Sequence, residues 1–173
     1  MLADLKSLSL GHTQVASTNN PAYHFSLTHL ALQYARDNLC DKTLVALSRQ
    51  LTITSLDLYL DRLAAEMLGQ LSPLASQLVR LALCVLDDDD AAVPQKVDPF
   101  LKLCTRLKHL TFPAEDTPSV IHLLLSLESW TLTYCEEAEV ALILDVLDSK
   151  ATAVSKLERL CIQPEYAPDA IEA

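Results

Sequence analysis

The stretch Leu27-Thr28-His29-Leu30-Ala31-Leu32, LTHLAL, sets out an apolar residue, two variable ones, a leucine, one variable residue and another leucine. In a short strand alternate side chains face the same way, so Leu30 and Leu32 point together into an interior. Leu27, just ahead of the strand, turns inward to close the layer. The spacing recurs at Leu5–Leu10 (LKSLSL), Ile53–Leu58 (ITSLDL), Leu78–Leu83 (LVRLAL), Leu107–Phe112 (LKHLTF), Leu127–Leu132 (LESWTL) and Leu157–Ile162 (LERLCI). The starts lie 22, 26, 25, 29, 20 and 30 residues apart. Three of the seven matches are all-leucine and four replace one leucine by Ile, Phe or Trp. A leucine-rich chain yields roughly one all-leucine match by chance, so the segments between the matches must carry part of the argument.

Those segments read as helices. Leu44, Leu47 and Leu51 follow at helical spacing behind Asp41, a residue suited to capping a helix start. Asp61 precedes a second helical pattern, RLAAEMLGQL. Pro99 is suited to open a short helix through Phe100, Leu101 and Cys104, with Pro94 and Pro99 marking the loop before it. Thr117 and Pro118 form a cap and first turn for SVIHLLLSL, and Glu136 and Glu137 occupy a first turn where the helix dipole favours carboxylates. Strand, turn and helix thus alternate along the chain. One such unit cannot bury its apolar face alone, and stacked units make a continuous core.

On these motifs the chain resembles the leucine-rich-repeat superfamily from Leu5 to Ile162. Its steps sit in or beside that family's range of about 20–29 residues. The family's usual Asn after the third apolar position is missing, the turns reading GHT, QYA, YLD, CVL, PAE, TYC and QPE. Long, irregular repeats of this kind are most similar to the degenerate repeats of fungal and plant F-box-type proteins. The resemblance implies an α/β fold: a right-handed solenoid of about seven repeats, short parallel strands on the concave face and helices on the convex face. The repeat domain is expected over 1–163, with an acidic tail over 164–173. In F-box-type proteins such repeats select substrates for a ubiquitin ligase. The first repeat starts at Leu5 with no F-box segment before it, so the ubiquitin connection is expected by analogy alone.

Composition narrows the function classes. The 173 residues are half hydrophobic and only 5% aromatic, which excludes a disordered chain and describes an aliphatic, evenly graded core. Two glycines are too few for a hairpin-rich β-fold. A net charge of −10 repels phosphate backbones and speaks against nucleic acid, with Lys102, Arg106 and Lys108 read as an ordinary balanced surface. The N-terminus carries Asp4 and Lys6 where a signal peptide needs an unbroken apolar run. The apolar segments Val120–Leu127 and Val140–Leu147 fall short of the roughly 20 residues that span a bilayer. The expected setting is intracellular, cytoplasmic or nuclear, without membrane contact.

Five cysteines (Cys40, Cys84, Cys104, Cys135, Cys161) are widely spaced, and they read as buried thiols rather than disulfides or metal ligands. Asp87–Asp90 reads as a solvated loop, since no Gly-spaced calcium pattern surrounds it. No catalytic motif organises His24, His29, His109 and His122, so neither cofactor nor metal nor catalytic residue is expected, and a hydrolytic enzyme is the remote alternative. Trp130 stands at a core position of its motif.

The motif also names its outward residues. The first column is Ser7, His29, Ser55, Arg80, His109, Ser129 and Arg159; the second is Ser9, Ala31, Asp57, Ala82, Thr111, Thr131 and Cys161. The third is Gly11, Gln33, Tyr59, Cys84, Pro113, Thr133 and Gln163. A floor of small side chains rimmed by His29, Asp57, Tyr59, Arg80, His109 and Arg159 is the expected contact surface for a partner protein or peptide. Neither end carries a dedicated polar cap, which implies self-association, a flanking domain, or a role as one arc of a larger solenoid.

Overall fold

In the computed structural model each motif becomes a strand. The structure describes residues 5–11, 26–35, 52–60, 65–85, 93–113, 126–135, 137–149 and 156–164. The strands are β1 (Ser7–Gly11), β2 (His29–Ala35), β3 (Ser55–Leu60), β4 (Arg80–Val85), β5 (His109–Pro113), β6 (Ser129–Cys135) and β7 (Arg159–Pro164). Three helices are described among them: α1 (Ala65–Ala75), α2 (Val93–Leu103) and α3 (Glu137–Ser149). The seven strands form one sheet, all parallel, in the order in which they occur along the chain.

The pairing register follows the motif. Ser7 lies beside His29, His29 beside Ser55, and so on through Arg80, His109, Ser129 and Arg159. The junction between neighbouring strands is the same each time. Thr28 and His29 both donate their amides to the Lys6 carbonyl, and Thr54 and Ser55 do so to Thr28. Val79 and Arg80 donate to Thr54, Lys108 and His109 to Val79, Glu128 and Ser129 to Lys108, and Glu158 and Arg159 to Glu128, all within 2.8–3.2 Å. This backbone junction fixes the spacing from strand to strand, so unequal repeat lengths are taken up elsewhere.

The core lies on the helix side of the sheet. Leu30, Leu32, Leu56, Leu58, Leu81, Leu110, Phe112, Trp130 and Leu132 are all buried there, as are the closing residues Leu27, Ile53, Leu78, Leu107 and Leu127. Their counterparts in the first and last repeats, Leu5 and Leu157, are only partly buried, because each has a neighbouring strand on one side only. The helices meet this layer with stripes of helical period: Met67, Leu68, Leu71, Leu74 and Ala75 from α1, Val97, Phe100 and Leu101 from α2, and Ile143 from α3. The indole of Trp130 is wholly enclosed, its Nε1 without a hydrogen-bond partner among the described residues. Cys84, Cys104 and Cys135 are buried thiols, and burial pushes the Cys104 thiol up to about 12.

Two helix expectations need correction. The third helical segment does not open at Pro99 after a loop: α2 begins at Val93, so Pro94 falls in its first turn and Pro99 inside it. A first-turn proline loses no helical hydrogen bond, which is why Pro94 starts a helix rather than ending one. The second helix also runs past Leu71 through Pro73 to Ala75. A proline at 73 cannot donate to the Gly69 carbonyl, and the Ser72 hydroxyl does so instead at 2.7 Å. Glu137 is in the first turn of α3 as expected. The expected helices at 41–51 and 117–127, and the aspartates 87–90, lie outside the described residues. No described helix is long and apolar enough to cross a membrane.

Candidate binding face

Because strand side chains alternate, the residues between the buried leucines form a second face, opposite the helices. Sheets that are purely parallel are ordinarily covered on both sides. Here the outward positions are Ser, His, Ala, Asp, Arg, Thr and Cys, a composition that tolerates water. Ala31, Ala82 and Cys84 are nonetheless buried at this face. They are short, and the longer side chains around them close over them.

His29, Asp57 and Arg80 come together on adjacent strands. The His29 imidazole is 3.7 Å from one Asp57 oxygen and the Arg80 Nε is 3.7 Å from the other. These separations are ion-pair distances, too long for hydrogen bonds, and Asp57 Oδ1 accordingly has no hydrogen-bond partner among the described residues. The other ring nitrogen, His29 Nδ1, lies 2.9 Å from the Ser55 hydroxyl. The carboxylate is set back, its side chain 16% exposed against 32% for His29 and 55% for Arg80. An approaching molecule meets the two basic groups first.

Serine, imidazole and carboxylate in this order are also the parts of an activated nucleophile. Acyl transfer further needs amide donors aimed at the developing oxyanion. The Ser55 amide is already given to the Thr28 carbonyl at 3.0 Å.

Towards the C-terminal ends of the strands the face opens into a recess of 720 Å³. Tyr59, Arg80, Thr133, Tyr134 and Gln163 line it, with Ala82, Cys84, Thr111 and Thr131 contributing the remaining side chains. Burial raises the Tyr59 phenol pKa first, with Asp57 and Cys84 adding to the effect and Arg80 opposing it. Burial also raises the Cys84 thiol, against a hydrogen bond with Tyr134 that lowers it. Both groups therefore stay protonated and uncharged near neutral pH.

Of the six expected contact residues, the structure brings His29, Asp57 and Arg80 into one cluster and Tyr59 and Arg80 into one recess. His109 sits beside Arg80 in the first column, and Arg159 stands at the far end of that column on β7. Tyr134 was not expected at all. Simple alternation after Leu132 turns Thr133 outward and Tyr134 inward. The β6–β7 register slips between Leu132 and Cys135, leaving Tyr134 as the extra residue of a bulge. Its φ is 56°, its side chain is 46% exposed, and Cys84 Sγ lies 3.6 Å from its hydroxyl. A left-handed tyrosine is uncommon and persists only where its surroundings hold it. In the sequence the only hint is a tyrosine two residues past the motif, in TYC.

The basic residues Lys102 and Lys108 are balanced locally, Lys102 by Asp98 and Lys108 by Glu128 at 2.7 Å. The hydrogen bond from Lys108 holds the Glu128 carboxyl below its usual range. Among the described residues no group of three or more His, Cys, Asp or Glu side chains is placed to hold a metal ion. Comparison of the chain with protein-family models, with curated proteins and with solved structures finds no match.

Proposed function

We propose that this chain is a leucine-rich-repeat solenoid acting as a binding module, whose open, concave strand face takes a partner protein or peptide. The observation that carries the reading is the recess on that face. There a parallel sheet leaves one side uncovered by any described helix and presents two exposed tyrosines, Tyr59 and Tyr134, beside Arg80. Tyrosine and arginine supply large, rigid contact area and directed hydrogen bonds, the features that concentrate energy at interfaces. The repeated junctions, sequential strand order and one-sided helices support the solenoid.

Affinity capture with the whole chain, compared with the Tyr59→Ser/Tyr134→Ser variant, tests the binding role. Partners retained by the wild-type chain are lost from the variant while its circular dichroism and melting temperature stay close to wild type. Capture that ignores both substitutions places the binding surface elsewhere. The resemblance to F-box-type repeats adds the proposal that the partner is a ubiquitin-ligase substrate, and recovery of ligase adaptors in the same experiment supports it.

A second reading, one arc of a longer solenoid, draws on the partly buried Leu5, Leu8, Leu157, Leu160 and Ile162 in the two end repeats. Concentration-dependent sedimentation supports that reading, and a single monomeric boundary at high concentration opposes it.

A further inference from the structure

The open face differs in charge from the rest of the molecule. The chain carries a net charge of −10, yet the three outward columns hold two arginines, Arg80 and Arg159, two histidines, His29 and His109, and a single acid, Asp57. That acid is the least exposed of its cluster and lies between His29 and Arg80. Arg159 forms no ion pair among the described residues, and His109 lies within electrostatic reach of Glu128. The rim acids do not reverse this sign: Glu128 is engaged by Lys108, and Glu158 sits at the outer end beside Arg159. Counted with His neutral, as the net charge is, these columns carry a formal +1 on a strongly acidic protein, and such a strip attracts a carboxylate-bearing ligand.

We propose that the ligand is an acidic peptide segment lying across the strands, its carboxylates on Arg80 and Arg159 and an apolar side chain in the recess between Tyr59 and Tyr134. The assignment rests on the binding role proposed above and narrows it to one chemistry. Arg80 on β4 and Arg159 on β7 are three strand steps apart, and at about 4.8 Å per step their positions lie roughly 14 Å apart. An extended peptide advances about 3.4 Å per residue, so acids four residues apart match that span and point to the same side. The residue midway between them also faces the sheet, and the proposal sets it at the edge of the recess that Arg80 lines, from which the recess extends towards the C-terminal ends of the strands. Its apolar part meets the tyrosine rings and the short residues of the floor. Uncharged Tyr59 and the hydroxyls of Thr131 and Thr133 leave no opposing charge there.

Fluorescence polarisation with labelled twelve-residue peptides tests the proposal on the full chain. One peptide carries Glu-Ser-Leu-Ser-Glu at its centre; controls move the second glutamate two residues closer, replace both glutamates by lysine, or replace both by glutamine. A single-stranded oligonucleotide of equal length is the phosphate control. The glutamate peptide with four-residue spacing binds most tightly and weakens as salt rises. Arg80→Gln and Arg159→Gln each weaken it about tenfold, the loss of one charge-assisted contact, without moving the melting temperature. Equal or tighter binding of the lysine or glutamine peptide overturns the acidic assignment, and so does preference for the oligonucleotide. If those peptides still lose affinity in Tyr59→Ser/Tyr134→Ser, the binding role stands and only the ligand chemistry falls. If no peptide binds, the acidic assignment fails, and the capture experiment decides the binding role separately.

Discussion

Adjacent residues on one strand, Leu56 and Asp57, provide a direct test of which way the sheet faces. Leu56 is fully enclosed between Leu30 and Leu81 on the neighbouring strands. Replacing it by alanine removes three buried carbons, worth about 2 kcal/mol in transfer free energy. The packed layers on both sides cannot collapse into the space, so the cavity brings the total to about 3–4 kcal/mol. Asp57 is within 3.7 Å of His29 and of Arg80, whose own side chains are 32% and 55% exposed. Ion pairs this long and this well hydrated contribute little, so Asp57→Ala costs less than about 1 kcal/mol. Trp130 is the chain's single tryptophan and fully buried, so its emission reports global unfolding in urea. The expected result is a midpoint shifted far down for Leu56→Ala and little for Asp57→Ala, with the slope m unchanged in both. Comparable losses, or a larger loss for Asp57→Ala, refute the assignment of faces, because a slip of one residue exchanges the two environments.

Three further outcomes follow from local features. Gly69 lies in α1 with open space where a Cβ would stand, so Gly69→Ala raises stability by about 0.5–1 kcal/mol in the same urea assay. Tyr59 and Tyr134 are similarly exposed, but only Tyr134 has positive φ; glycine relieves that residue and merely loosens the other, so Tyr59→Gly costs about 1 kcal/mol more than Tyr134→Gly. Cys104 ionises near 9 when unfolded and only at about 12 when folded, so its contribution is complete below pH 9 and is lost as pH rises towards 12, at about 1.4 kcal/mol per pH unit. Urea titrations at pH 8 and pH 10 show that loss in the wild-type chain, and Cys104→Ala reduces it.

The strands were legible because their signal is repeated and of period two. One leucine triplet means little, but seven in succession predict the first two outward columns that the pairing register displays. The helices were harder to read. Pro94 reads as marking a loop but tolerates a first turn, and Pro73 stays inside a helix because Ser72 satisfies the carbonyl it leaves open. At the candidate site, residues set by alternation were found and the one set by a departure from it was missed. Tyr134 faces outward because of one extra residue in β6, and a bulge has no residue code as plain as an apolar repeat. The cluster of His29, Asp57 and Arg80 was legible as positions, while its geometry depends on side-chain reach across three strands.

The division between the two faces also bears on how such a surface can acquire specificity. The junction amides and the inward leucines determine strand spacing, and neither depends on the outward side chains. Outward residues can therefore change charge and size without disturbing the core, within the limit that no large apolar patch is exposed. On this sheet the variation is uneven. β1 contributes Ser7 and Ser9, small and neutral, while β3 and β4 contribute Asp57, Tyr59 and Arg80, and β6 adds the bulged Tyr134. Charged, aromatic and strained residues thus gather around one recess instead of being spread along the sheet. The three differ in physical cost: a set-back carboxylate loses hydration, exposed tyrosine rings lose contact with apolar neighbours, and a left-handed tyrosine strains the backbone. All three costs fall together at the recess, the feature on which the proposed binding role rests.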